Sequence, residues 1–520
     1  MTERRSLALM LALAALFFIA GLALLPVPFT RDQGIYAYVA WQWLSGAPPY
    51  LGSFDHKGPL LYLVYGAALQ VSHGAMWGPN LFDALARTAA VMAAWLLGRR
   101  LSGPRAGLYA AALTSLPLLG VFNSCWWNAQ AETFMLPLLG FSAGLALDPR
   151  RRPAAFFAAG FLAAQAAMLK PTGLMHGAFL VGWVALAPIE GGRRPRDAGW
   201  VAAGLGFGVL VWVIYFTAVG ALGAMWETLV VFNTYHGAAS LASVTRPVGT
   251  FIQGTWVVFS WMPVLLPLLL LRRPEAERRG FAAWFLLVSF FQVAVQARFF
   301  LYHWLTLVPA VGLAAGLGLD RLRATLSARL RPAAGVAAAV LALVFFGQGY
   351  IGLWRLVIVS YRTDDFIRGR IGLAEYYARF SEAGAAGRGD FSLLASAAAA
   401  DYLRKHTPEG AEALIFGYEP LVNYLSARPS PTRFQIDYPL TFQPRSAAAA
   451  ARREKWRKEF LAELSAHPPV MVVLMDNDRN AIEPESSVEQ ARQFGEFWEW
   501  LTRHYERTDR IEDFTFYRRK

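Results

Sequence analysis

Charge is scarce in this chain. Asp, Glu, Lys and Arg make up 16% of its 520 residues, where soluble domains carry roughly 25%. With 56% apolar and 14% aromatic residues, the shortfall excludes a disordered chain and an ordinary cytosolic enzyme. Cysteine is almost missing: the single Cys125 rules out a disulfide framework and a cysteine zinc site. Neither a solenoid repeat nor a glycine-rich phosphate loop is visible. Acidic residues are outnumbered, 36 Asp and Glu against 49 Lys and Arg, for a net charge of +13. That surplus suits nucleic acid, but its placement along the chain argues against such a partner.

Long apolar stretches are what the chain has in abundance. A helix needs about 20 mostly apolar residues to cross a bilayer. Eleven segments meet or approach that length: 6–28, 80–98, 106–122, 131–147, 154–169, 173–188, 198–219, 251–271, 281–297, 299–318 and 333–354. The first lacks a small-residue cleavage site before Arg31 and reads as an uncleaved span. With the N terminus in the cytoplasm, the inner side carries Arg4, Arg5 and the loops 98–105, 148–153, 190–197, 271–280 and 320–332. Together these hold 19 arginines, whereas the outer loops hold only Arg31, Lys57, Lys170, Arg246 and Arg298. Such an asymmetry sets topology and explains much of the positive charge. The expectation is a multi-pass protein of a bacterial inner membrane, with its C terminus in the periplasm.

From about residue 360 the texture changes. Charge rises, and strand-like runs at 413–418, 470–475 and 513–518 alternate with helix-like stretches at 446–466 and 488–505. That alternation predicts a small α/β domain. The expected organisation is a polytopic α-helical membrane domain over 1–358, with an outer loop at 29–79, and a soluble α/β domain over 359–520 on the outer face.

The polar residues of the membrane half sort by side. His56, His73, His176, His236 and His303 fall at or near the outer face, as do Asp32, Asp55, Asp83, Glu132 and Glu227. Charges near helix ends cost less than charges at the midplane, so each has an ordinary reading. Asp32 suits a helix cap, Lys57 a snorkelling anchor, and Glu132 a dipole partner of its helix. Lys170 and Arg298 suit interfacial anchors, and His303 a packed polar residue. Asp83 and Arg87, four apart, are expected to pair on one helix face. Asp476 ends a strand and is expected to be structural, because no phosphate loop or partner carboxylate accompanies it.

The first outer loop is the densest stretch. It runs from Arg31-Asp32-Gln33-Gly34 to Asp55-His56-Lys57-Gly58-Pro59, with Tyr36, Tyr38, Trp41, Trp43 and Tyr50 between. The apolar, amphipathic 60–71 follows and is short for a span. A carboxylate and a lysine at headgroup depth suit a lipid-phosphate substrate. One can deprotonate a nucleophile, and the other can neutralise a phosphate leaving group.

These residues resemble the first outer loop of polyprenyl-phosphate-sugar glycosyltransferases of the GT-C superfamily, glycosyltransferase family 39 type. Relatives there include protein O-mannosyltransferases, the lipid A aminoarabinose transferase and lipopolysaccharide-core galacturonosyltransferases. Asn128-Ala129-Gln130-Ala131-Glu132, Leu169-Lys170-Pro171-Thr172-Gly173 and Arg298-Phe299-Phe300-Leu301-Tyr302-His303 extend the resemblance over most of the membrane half. The segments Phe416-Gly417-Tyr418-Glu419-Pro420 and Ser430-Pro431-Thr432-Arg433-Phe434 look like those of bacterial members.

The resemblance implies a GT-C fold and catalytic roles for Asp32 and Glu132. Substrate contacts fall to Lys57, Asp55, His56, Lys170, Arg298, Tyr302 and His303. Asp32-Gln33 stands where many relatives have Asp-Glu, and Lys57-Gly58-Pro59 where Lys-Pro-Pro is commoner. The expected partners are a polyprenyl-phosphate-linked sugar donor, a lipid, glycan or protein acceptor, and membrane lipids. No cofactor is required. A divalent cation at Asp55 and His56 is possible but not needed, since cationic side chains can neutralise a monophosphate. The competing classes are a multi-pass transporter or flippase, which predicts midplane charges and an inverted repeat, and a non-catalytic scaffold with an outer binding domain.

Overall fold

Proline and glycine punctuate the helices of the N-terminal part. A computed structural model describes residues 1–121, 128–186, 195–235, 247–260, 262–271, 276–296, 299–326, 330–383, 389–476, 478–479 and 483–520. Among the described residues, nine helices open the chain: α1 (Glu3–Leu22), α2 (Arg31–Leu44), α3 (Pro59–Val71), α4 (Trp77–Ser102), α5 (Pro104–Val121), α6 (Ala131–Ala146), α7 (Pro153–Leu169), α8 (Gly173–Leu186) and α9 (Pro195–Ala218). Proline starts α3 and α7, where its missing N–H would be unpaired anyway. α4 stops at Gly103, whose φ of +98° suits glycine, and Pro104 restarts the chain as α5. Further helices cover Pro247–Phe259, Met262–Leu270, Ala276–Ala294, Leu301–Leu307 running into Val308–Thr325, and Leu330–Trp354.

In their described residues the eleven apolar windows fall mostly on helix, but they differ in reach. Glu3–Leu22, Trp77–Ser102, Pro195–Ala218 and Leu301–Thr325 are long and apolar enough to cross a membrane. Pro59–Val71, Ala131–Ala146, Pro153–Leu169, Gly173–Leu186 and Gly280–Ala294 are shorter apolar helices. The window 251–271 is not one straight helix, for it breaks between Phe259 and Met262. Large apolar side chains stand exposed on the outside of the bundle, among them Ile19, Ile214 and Leu343. That surface suits lipid rather than water, as in a multi-pass membrane protein. Close helix packing depends on glycine where α7 crosses α9. A Cβ at Gly160 would lie 1.9 Å from the Val201 carbonyl oxygen, and one at Gly204 1.9 Å from that of Phe157.

The first outer loop is itself largely helical. α2 and α3 pack on each other, and α3 also packs on α4 and α7. α3 is amphipathic as expected, but it turns Leu61, Tyr62, Tyr65 and Leu69 inward onto protein.

The C-terminal part holds two sheets. A hairpin pairs β1 (Ser381–Ala383) with β2 (Gly389–Ser392). A four-stranded sheet follows in the order β3-β4-β6-β5, from β3 (Ala413–Phe416), β4 (Met471–Met475), β5 (Tyr505–Ile511) and β6 (Phe514–Arg519). β3 and β4 are parallel, and the other pairs are antiparallel. The two parallel strands are apolar at every position because both faces are covered. Leu414, Phe416, Val472 and Leu474 meet Trp456, Phe460 and Phe497 on one side. Ala413, Ile415, Met471 and Val473 meet Ala395, Ala399 and Leu403 on the other.

The expected strands at 413–418, 470–475 and 513–518 match β3, β4 and β6, and the helix at 446–466 matches Ala447–Ala466. The stretch 488–505 is two helices, Ser487–Gln493 and Gly495–His504, separated at Phe494. β5 and the helix Leu393–His406 have no counterpart in the sequence reading. β5 is exposed at most of its positions, so it lacks an apolar signature. Asp476 pairs with Arg510 at 3.0 Å beyond β4, in keeping with a structural role.

This C-terminal part docks on the first outer loop. Phe54 inserts into its core, stacked on Phe434 at 5.6 Å and edge-on to Trp456 at 5.4 Å. α2 packs so closely against the helix Leu421–Ser426 that a Cβ at Gly34 would meet that of Leu421 at 2.6 Å.

Candidate active site

Asp32 occupies the first turn of α2. It is partly exposed although protein surrounds it. Gln130 Nε2 donates to its Oδ2 at 3.3 Å, while Tyr36 donates its hydroxyl to Gln130 Oε1 at 3.2 Å. Burial raises the Asp32 carboxyl above the ordinary aspartate range, against the opposing pull of Lys57, Gln130 and Arg31.

Gln33 has a structural task. Its Oε1 accepts the Thr30 N–H at 3.1 Å, one half of a capping box, and its Nε2 donates to the Asn128 carbonyl at 2.6 Å. The α2 start is thereby tied to the segment 128–130. That segment is held hard. Ala129 adopts a left-handed φ of +50°, a conformation that disfavours a residue with a Cβ. Asp83 Oδ1 accepts its N–H at 2.9 Å, and Tyr65 donates to its carbonyl at 2.8 Å. Asp83 in turn pairs with Arg87 at 2.8 Å, as their spacing predicted. The chain of contacts Arg87, Asp83, Ala129, Gln130 ends on Asp32.

Glu132 follows at the start of α6, fully buried. Lys170, which caps α7, forms an ion pair with Glu132 Oε1 and donates to Gln296 Oε1. His303 Nε2 lies 4.0 Å from the same Glu132 oxygen. Tyr302 packs edge-on against the His303 ring at 4.8 Å, and its own ring stands 6.0 Å from Lys170 Nζ. Glu132 Oε2 has no hydrogen-bond partner among the described residues.

Asp55, His56 and Lys57 form the other wall. Tyr62 donates to Asp55 Oδ2 at 2.8 Å, His56 Nδ1 faces Asp55 Oδ1 at 3.4 Å, and Tyr50 donates to the Lys57 carbonyl at 2.8 Å. Burial pushes the Asp55 carboxyl up to about 6. Lys57 is only 6% exposed. Its ammonium makes no ion pair among the described residues, and its one described hydrogen-bond contact is His56 Nε2 at 3.4 Å.

Gly58 explains the departure from Lys-Pro-Pro. Its N–H donates to the Leu169 carbonyl at 3.0 Å, and a Cβ there would lie 2.1 Å from the Met168 oxygen. This close approach sets the loop beside Lys170. Asp32, Asp55, Lys57, Glu132 and Lys170 therefore form one charged cluster, each within electrostatic reach of others.

Of the residues singled out in the sequence, Arg298, His236 and Cys125 lie outside the described residues. His176 is a satisfied core histidine, bonded to Ser142 at 2.8 Å and packed on Phe285. Glu227 belongs to the docking interface, where it pairs with Arg433 and Arg452. Sequence reasoning did not assign Gln130, Tyr36, Tyr62, Gln296 or Asn233. Gln130 lay inside a quoted motif, but only the fold aims its amide at Asp32. Among the described residues, no three His, Cys, Asp or Glu side chains converge to hold a metal ion.

The architecture has solved counterparts. ArnT from Cupriavidus metallidurans, bound to undecaprenyl phosphate, superposes with a TM-score of 0.59 at 15% identity, over 98% of this chain and 97% of that one. The Archaeoglobus fulgidus oligosaccharyltransferase, tethered with an acceptor peptide, gives 0.52 at 13% identity, over 90% and 69%. Mycobacterial arabinofuranosyltransferase AftD gives 0.51 at 13%, with all of this chain spanning 40% of that one. These proteins define the GT-C fold, and this chain shares it. No protein-family model and no curated protein matches the sequence.

Proposed function

We propose that this protein is an integral-membrane glycosyltransferase that moves a sugar from a polyprenyl-phosphate donor to an acceptor hydroxyl, with inversion. One observation carries the reading: Asp32, a carboxylate raised by burial, shares a cluster with Lys57, a nearly buried ammonium that makes no ion pair among the described residues. Asp32 and Asp55 act on Lys57 only from a distance, and a phosphate would supply the direct ionic partner that a buried ammonium needs. ArnT, of the same fold, holds undecaprenyl phosphate in its structure.

In this mechanism the donor phosphate binds at Lys57. Lys170 is already neutralised by Glu132, so it orients that carboxylate and supports the phosphate from a second side. Asp32 accepts the acceptor hydroxyl proton as the oxygen attacks the anomeric carbon. The bond from that carbon to the phosphate oxygen breaks, and polyprenyl phosphate leaves as an anion beside Lys57. No step calls on a divalent cation. The arginine asymmetry supports an N terminus in the cytoplasm and a cluster, with the C-terminal part, on the outer face.

The test is release of polyprenyl phosphate by the full-length protein in lipid nanodiscs, given a panel of polyprenyl-phosphate sugars and a membrane extract as acceptor. Release by wild type and not by Asp32→Asn is expected. Equal release by both would remove Asp32 from the chemistry. No release with any donor would sink the reading.

A further inference from the structure

The C-terminal part grips the loop that carries Asp55, His56 and Lys57. The Phe54 N–H donates to the Arg433 carbonyl at 2.6 Å and to Gln435 Oε1 at 2.8 Å, and Gln435 Nε2 donates back to the Phe54 carbonyl at 3.0 Å. Gln435 is fully buried, and its amide spends both ends on the backbone of this one residue. Arg433 Nη1 donates to the Tyr50 carbonyl at 3.3 Å. Its guanidinium lies over the rings of Phe54 and Phe434, at 5.5 and 4.8 Å. It is anchored in turn by Glu459 at 2.6 Å and Glu227 at 3.0 Å.

The same loop is held from its other side. Tyr62 bonds Asp55, Tyr50 bonds the Lys57 carbonyl, and Asn233 donates to the His56 carbonyl at 3.2 Å. Tyr50 turns the chain with a left-handed φ of +74°. A short loop with such a turn keeps one geometry only where its surroundings enforce it. Two residues separate Phe54 from Lys57, so a backbone fixed at Phe54 leaves the ammonium little freedom.

We infer that Gln435 and Arg433 are positioning residues for donor-phosphate binding: by clamping the Phe54 and Tyr50 backbone they hold Lys57 in place, which makes the C-terminal part a working half of the site. This rests on the phosphate role assigned to Lys57 above. Gln435 touches no substrate, so its effect on phosphate binding runs through Lys57.

The experiment is a double-mutant cycle on the full-length protein in nanodiscs, with undecaprenyl phosphate as the probe. Gln435→Ala is expected to weaken binding about tenfold, the loss of a buried hydrogen-bonded pair. Combined with Lys57→Ala it should add nothing to the loss from Lys57→Ala alone. Backbone amide exchange should speed up in 50–57 and stay unchanged in the membrane helices. Gln435→Asn, which keeps the amide donor and acceptor on a shorter side chain, should show a smaller loss and serves if the alanine variant does not fold. Additive losses in the cycle, or unchanged exchange at 50–57, would overturn the inference. Should wild type bind no undecaprenyl phosphate, the donor reading falls, and the exchange measurement alone decides whether the clamp exists.

Discussion

Gln130 donates its side-chain N–H to the Asp32 carboxylate at 3.3 Å across 98 residues of sequence. The bond favours the ionised form of a carboxyl that burial pushes the other way. Gln130→Ala removes an amide that opposes burial there, so the Asp32 pKa should rise further. The base form then appears at higher pH, and the acidic limb of the rate profile should move upward. At neutral pH kcat is expected to fall about tenfold. A pH series of polyprenyl phosphate release checks this, and an unmoved limb would detach Gln130 from Asp32.

Gly58 tests whether loop placement matters. Gly58→Ala puts a methyl against the Met168 carbonyl, 2.1 Å away before any shift, which should cost about 1–3 kcal/mol. Gly58→Pro, which restores the commoner Lys-Pro-Pro pattern, also loses the N–H bond to Leu169. It should be at least as damaging. Thermal unfolding of the detergent-solubilised variants would show the order, and a stabilised Gly58→Pro would contradict it.

The strained Ala129 gives a prediction of opposite sign. Ala129→Gly relieves the positive φ and should raise stability by about 1 kcal/mol. Arg87→Met strands the Asp83 carboxylate, whose partner is wholly buried, and should cost about 3–5 kcal/mol. Both shifts are read from the midpoint of thermal unfolding.

The C-terminal part should lose stability as pH rises. Burial pushes Glu419 and Glu483 up to about 7, well above the unfolded glutamate value. The folded state therefore binds these protons more tightly, and unfolding releases them. Stability is then greatest below the unfolded pKa and declines as pH climbs through about 7. Glu483→Gln should flatten the decline between pH ~5 and ~8. Amide exchange of β3 and β4 across that range is the measurement, and stability rising with pH would refute the assignment.

The sequence by itself determined the long apolar helices, the small α/β domain and the identity of most charged groups in the cluster. Hydropathy and period are local properties, and α4, α9, β3 and β4 declare themselves within windows shorter than thirty residues. The motif residues Asp32, Lys57, Glu132 and Lys170 were equally legible, because charge is rare in an apolar chain. Only the tertiary structure decided what those charges face. It paired Lys170 with Glu132, left Lys57 without a direct ion pair among the described residues, and reserved Gln33 for a cap. It also set Gln435 on Phe54, 381 residues away. Contacts of that kind form between polar side chains whose own neighbours in sequence carry no trace of the partner. Burial enforces them, since a donor or acceptor cut off from water must find its match wherever the fold brings one.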